Sequence, residues 1–154
     1  MVDGGLLRSA LSGEELESRI ANSAIQAGGF VLKLINTGHV DLCGADEQVY
    51  GIAVKSTKEF VGDGYGGGSW TAAANVPCLI QREGEALVQV LATNAAIAIG
   101  DTLQSTAGGT VDLITYVGGT PTLVELRSVV GRALEAKDFH GGGVVKVMLK
   151  IGGM

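Results

Sequence analysis

Two histidines, two cysteines, scattered acids and one glycine-rich run are the residues in this chain that could do chemistry. His39 and Asp41 are two apart, so a strand would put both on one face as an acid–base or metal pair. A third group to orient or complete such a pair is not evident in the sequence. His140 precedes Gly141-Gly142-Gly143 and reads as loop. Asp41, Asp46, Glu47, Asp63 and Asp101 do not form the dense Asp-x-Asp spacing of a calcium loop. Gly62-x-Gly64-x-x-Gly67 formally matches a dinucleotide fingerprint. That fingerprint needs a helix leaving it, so that helix N–H groups meet the pyrophosphate. Thr71–Asn75 is too short for such a helix before Pro77 stops it. No serine sits in a G-x-S-x-G elbow. Trp70, the single tryptophan, and Tyr65 read either as subunit-interface anchors or, with Asp63, as a stacking platform for a sugar. Cys43 and Cys78 lack a CxxC partner and read as reduced, half-buried small residues. The expectation is no catalytic residue, no metal and no cofactor.

The elements that would carry these residues are mostly strands. Of the 154 residues, 46% are hydrophobic and 18% charged, with 25 glycines and two prolines. Roughly a quarter of residues are usually charged, so a chain this apolar is expected to cover part of its surface with another subunit. The net charge of −5 and the scattered lysines and arginines disfavour nucleic acid. No run approaches the ~20 apolar residues of a membrane span, and no basic-then-apolar leader opens the chain. Met1–Leu11 reads as an extended arm. Ser12-x-x-Glu15 has capping-box spacing, and Leu16, Ile20 and Ile25 mark a helical face, so a short helix is predicted over Gly13–Asn22. Strands are predicted at Phe30–Ile35, His39–Cys43, Val49–Val54, Val76–Gln81, Ala86–Leu91, Val111–Val117, Thr122–Leu134 and Val144–Ile151; Ile97–Leu103 reads as a short strand with a tight turn at Gly100-Asp101, and Ala107-Gly108-Gly109 as a further turn. Gly51 marks a bulge or a close approach. Ser56–Asn75 reads as a long glycine-rich loop. The fold class is therefore all-β, mainly antiparallel. It is a compact β-barrel or β-sandwich, with the arm and short helix in residues 1–28 and a single β domain in residues 29–154.

The order of Ile99-Gly100-Asp101-Thr102-Leu103, Gly109-Thr110-Val111, Val130-Gly131-Arg132-Ala133-Leu134-Glu135 and Val144–Leu149 resembles the capsid decoration (cement) proteins of tailed bacteriophages. The resemblance spans Gly29–Ile151. It implies a viral structural protein, not an enzyme: a homotrimer on the outer capsid surface of the virion, made in the host cytoplasm. Its partner would be the major capsid protein, whose subunit contacts it would reinforce. The residues expected at the capsid or subunit interface are Leu6, Leu7, Leu11, Leu16, Ile20, Tyr65 and Trp70. Two other readings remain open: a carbohydrate-binding β-sandwich using the Trp70/Tyr65 loop, and a small hydrolase built on His39 and Asp41.

Overall fold

The computed structural model describes residues 16–25, 28–54, 74–114 and 122–151. Ten strands occur among them, in two sheets. The first sheet closes into a barrel of five strands in the order β1 (Leu16–Ala21), β3 (His39–Leu42), β2 (Val31–Asn36), β4 (Gly51–Val54) and β5 (Pro77–Gln81). The second has the order β6 (Glu85–Gln89), β10 (Val144–Leu149), β9 (Val129–Ala133), β7 (Thr102–Ser105) and β8 (Val111–Leu113). An isolated parallel bridge, Val90 to Val111, also brings the chain just past β6 beside β8. Pairing is antiparallel except between β1 and β3. The all-β, mainly antiparallel reading holds.

Alternation along β2 and β4 divides the interior into two cores. Val31 and Ile52 point into a large core lined by Val88, Leu103, Val111, Val130, Val145 and Val147 of the second sheet. Their chain neighbours Leu32 and Ala53 point into the barrel, with Ala21, Ile25, Val40, Cys78 and Ile80. Successive side chains on a strand face opposite ways, so one pair of strands serves both cores.

The predicted helix over Gly13–Asn22 is corrected. Leu16–Ala21 is strand β1, paired with β5 from Leu16↔Gln81 to Ile20↔Pro77. The spacing of Leu16 and Ile20 is even, so it fits one face of a strand as well as one face of a helix. The Ser12–Glu15 capping box lies outside the described residues. A genuine capping box occurs later. Thr122 caps a one-turn helix, α1 (Leu123–Arg127): its hydroxyl accepts from the Glu125 N–H at 3.1 Å, and Glu125 Oε1 accepts from the Thr122 N–H at 2.9 Å. The strand predicted over Thr122–Leu134 is thus a helical turn followed by β9. Expected turns are found. Gly100 has φ +93°, and Asp101 Oδ2 accepts from the Ala98 N–H at 2.8 Å. Pro77 opens β5, where its missing N–H is tolerated.

Gly51 and Gly131 mark close backbone approaches. A Cβ on Gly51 would collide with Ile80 Cγ2 and sit 2.8 Å from the Gln81 carbonyl oxygen. One on Gly131 would overlap the Met148 carbonyl oxygen and sit 2.9 Å from Val147 Cγ1. Beside it the β7–β9 register shifts between Leu103 and Gln104, and Val129 and Val130 are both buried. Gly131→Ala is expected to cost ~2–3 kcal/mol by overpacking. Gly108→Ala, with nothing within 4 Å, is expected to cost only ~1 kcal/mol for its φ of +71°. Urea unfolding of both variants checks this, and equal losses would contradict it.

Candidate functional site

Asp41, Lys33 and Glu47 are engaged in contacts between neighbouring segments of the barrel sheet. Asp41 accepts from Ser23 Oγ at 2.5 Å, Asn22 Nδ2 at 3.3 Å and the Leu42 N–H at 2.8 Å. Burial opposes its ionisation, but these bonds and the Lys33 charge outweigh it and hold the carboxyl below its ordinary value. His39 contacts the Asn36 side-chain oxygen through Nδ1 at 3.0 Å. The two residues suspected as a pair are therefore tied to different neighbours. Lys33 donates to both Glu47 oxygens, at 2.9 and 2.8 Å, and the Gly44 N–H donates to Glu47 Oε1 at 2.6 Å. The ion pair with Lys33, then the Gly44 bond, lowers the Glu47 pKa, and the same pairing raises that of Lys33.

A polar cluster closes one end of the barrel. Glu17 and Arg19 pair with Ile80 and Cys78, so their side chains share the face that lines the barrel interior. They escape burial by lying where β1 begins and β4 and β5 meet. There Tyr50 donates its hydroxyl proton to Glu17 and accepts from Arg19 Nη2 at 3.1 Å. Arg82 lies over the Tyr50 ring, 4.1 Å from its centroid, and donates through Nε to the Tyr50 carbonyl at 2.8 Å. The Tyr50 hydrogen bond is the main reason the Glu17 pKa is lowered. Burial, then the Glu17 carboxylate, raises that of Tyr50. With Glu17 between two guanidiniums at 3.2 and 3.5 Å, the cluster is a plug rather than a charged receptor site.

Both cysteines are free and buried. Burial pushes the Cys78 thiol up to about 11 and raises Cys43 too, the opposite of what a nucleophilic thiol requires. His140, at φ +55°, stacks on Phe139 at 3.8 Å and donates its N–H to the Asn94 carbonyl at 2.8 Å. Among the described residues no group of three His, Cys, Asp or Glu could hold a metal ion, and no helix is long and apolar enough to cross a membrane.

What the surface offers instead is apolar area. Leu87, Met148 and Val144 are 55%, 41% and 40% exposed on the outer face of the second sheet. Ile99, Leu123 and Phe139 are exposed on loops and on α1. Of the expected interface residues, Leu16 and Ile20 lie on β1, half-buried on the face opposite Glu17 and Arg19. Leu6, Leu7, Leu11, Tyr65 and Trp70 lie outside the described residues, as does the Gly62–Gly67 run. The outer apolar face of the second sheet was not singled out from the sequence. Its signal was present: Leu87 and Met148 fall out of phase with the buried alternation of Ala86, Val88, Val147 and Leu149.

No family model matches this chain, and no curated protein matches it in sequence. Among solved structures the chain is similar to the N base of the head fibre gp8.5 of bacteriophage phi29. The TM-score is 0.55 at 14% identity, with 90% of this chain and 96% of that one covered. At that identity the likeness is one of fold, and it extends over nearly the whole of both chains.

The ion pairs set the pH response. Glu17, Asp41 and Glu47 have lowered native pKa values, so the unfolded chain binds more protons than the native one in acid. Their contribution is complete above the ordinary carboxylate range, about pH 4, and is lost as pH falls through the lower native values. Lys33 has a raised pKa, so its contribution is complete below the ordinary lysine value and is lost as pH rises through the native one. Glu47→Gln is expected to flatten both limbs of a plot of urea midpoint against pH. Identical profiles for variant and wild type would contradict the pairing. A second measurement concerns the thiols: native protein at neutral pH is expected to leave both cysteines unreacted with a thiol reagent until urea unfolds it. Fast reaction of either in the folded state would show that burial does not protect them.

Proposed function

We propose that this chain is a structural, non-enzymatic component of a phage virion. It binds the outer surface of the head and reinforces contacts between major capsid subunits. The observation that carries this reading is the fold likeness to the base of a phage head fibre over nearly the full length of both chains. The sequence resemblance to capsid decoration proteins is the support for the outer surface. The chemistry of the chain supports the structural, non-enzymatic reading: in the described residues Glu17, Lys33, Asp41, Glu47 and both thiols are committed to hydrogen bonds, ion pairs or burial, while exposed apolar side chains remain for contacts.

The test is to mix purified chain with expanded, undecorated heads of the phage that encodes it and to sediment the mixture. Saturable binding at a fixed ratio to the major capsid protein is expected. Folded, monodisperse protein that stays in the supernatant would overturn the proposal. The arm belongs to the same reading. Among the described residues β1 begins at Leu16, so removing residues 1–11 leaves each described strand of the barrel in the chain. The truncated chain is expected to keep its melting temperature and to bind heads about tenfold or more weakly, a loss of ~1.4 kcal/mol or more. Unfolding on truncation would make the arm part of the core.

A further inference from the structure

Strand β1 is attached to the barrel in a different way from the other four strands. β2, β3, β4 and β5 each bury at least one large side chain completely: Leu32, Val40, Ile52 and Ile80. On β1 the barrel face carries Glu17, Arg19 and Ala21, opposite Ile80, Cys78 and Val40, so the methyl group of Ala21 is all that it buries fully. Its outward side chains Leu16 and Ile20 are half-buried, and none of its residues lies in the core shared with the second sheet. Directional bonds hold it instead. Leu16–Ile20 pair with β5, but only Ile20 and Ala21 pair with β3. The Glu17 carboxylate fastens one end, among the Tyr50 hydroxyl, Arg19 and Arg82. Asp41 of β3 fastens the other, through the side chains of Ser23 and Asn22.

Two further features favour separation of this strand from the rest. Among the described residues Arg19 Nε is buried with no hydrogen-bond partner, an N–H that water satisfies once β1 lifts. Beyond β1 the chain bends at Asn22 and Ser23 and then buries Ile25 in the barrel core, which makes Ile25 an anchor on the far side of the bend. We propose that β1 is a strap: Leu16–Ala21 swings off β3 and β5 as a unit about Asn22–Ala24, while Ile25 and the second sheet stay in place. Openings of this kind cost less than global unfolding, because few buried apolar contacts are given up. The two thiols report on the two cores separately. Cys78 lies in the barrel core opposite Arg19, so lifting β1 uncovers it. Cys43 lies in the shared core with its thiol toward the Gly44, Glu47 and Gln48 carbonyls, at 3.7, 3.7 and 3.8 Å, and stays covered. The strap does not depend on head binding.

Thiol labelling of the full chain across a urea series tests it, with amide hydrogen exchange followed in parallel by mass spectrometry. Wild type is expected to release Cys78 at lower urea than Cys43. The amides of β1 should lose protection together with Cys78, and those of β10 together with Cys43. Glu17→Gln leaves two guanidiniums without their carboxylate, and Tyr50→Phe removes the hydroxyl between Glu17 and Arg19 but keeps the ring under Arg82. Each is expected to speed the slow labelling of Cys78 in buffer about tenfold or more and to leave the Cys43 rate unchanged. Val145→Ala, in the shared core, is expected to do the reverse: it lowers global stability and speeds Cys43 without changing Cys78. Release of the two thiols together, in wild type and in both latch variants, would overturn the proposal, since the barrel would then open only with the whole chain. Cys78 labelling that outruns exchange of the β1 amides would overturn it too, because the reagent would be entering by another route.

Discussion

The structure depends on one pair of strands facing two ways. β2 and β4 send Val31 and Ile52 into the core shared with the second sheet, and Leu32 and Ala53 into the barrel. Neither core could keep its lining if the register slipped by one residue, because a slip exchanges the two faces. The entry to β2 is fixed from both sides. The Gly29 N–H donates to the Ala53 carbonyl at 2.8 Å, and the Gln89 N–H donates to the Gly29 carbonyl at 2.9 Å. Gln89 Nε2 reaches the Gly28 carbonyl at 2.9 Å. Gly29 has φ +99°, and a Cβ there would lie 3.0 Å from the Leu87 carbonyl oxygen, so only glycine lets β2 and β6 approach this closely. Further along the seam the buried Ser105 hydroxyl donates to the Gly44 carbonyl at 3.0 Å, and the Gly109 N–H donates to that of Cys43 at 2.9 Å. Arg127 donates twice to the Asp46 carbonyl, and its own carbonyl accepts from the Val49 N–H at 3.0 Å. Barrel and second sheet are thereby held as one body.

That seam was only partly legible in the sequence. The alternation of Ala86, Val88 and Val90, the turn at Gly100-Asp101 and the close approach at Gly51 follow from local rules, and all are present. The β1 strand was missed because Leu16 and Ile20 sit at a spacing that a strand and a helix share. Its partner β5 lies about 60 residues away, and no local pattern reports a pairing over that distance. The helical turn at Leu123 was missed for the opposite reason. Its marker, Thr122-x-x-Glu125, was present but sat inside a run rich in strand formers, where the capping box decides the outcome. The double core could not be read at all. Val31 and Leu32 are both apolar and both buried, and sequence does not say that they are buried in different places.

Of the candidate site, the side chains were legible in the sequence and their partners were not. His39 and Asp41 do share a strand, yet side chains from Asn22, Ser23 and Asn36 claim them; the Asn22 and Ser23 contacts depend on the parallel β1–β3 pairing and the Asn36 contact on the β2–β3 hairpin. The plug of Glu17, Arg19, Tyr50 and Arg82 gathers residues from both ends of a span of more than 60 positions. Charged residues on an interior face look wrong in sequence. They become reasonable only at the end of a barrel, where stems can be covered and heads solvated. What remains is a β body with exposed apolar side chains on the outer face of its second sheet.

The most direct measurement of the central claim is whether the protein binds phage heads, and where. Electron cryomicroscopy of expanded heads, with and without the added chain, is expected to show new density at fixed lattice positions on the outer surface, each bridging adjacent capsid subunits. The two-sheet body should fit that density. Identical maps from heads incubated with folded protein would contradict the account, as would added density confined to the tail or to the inside of the shell.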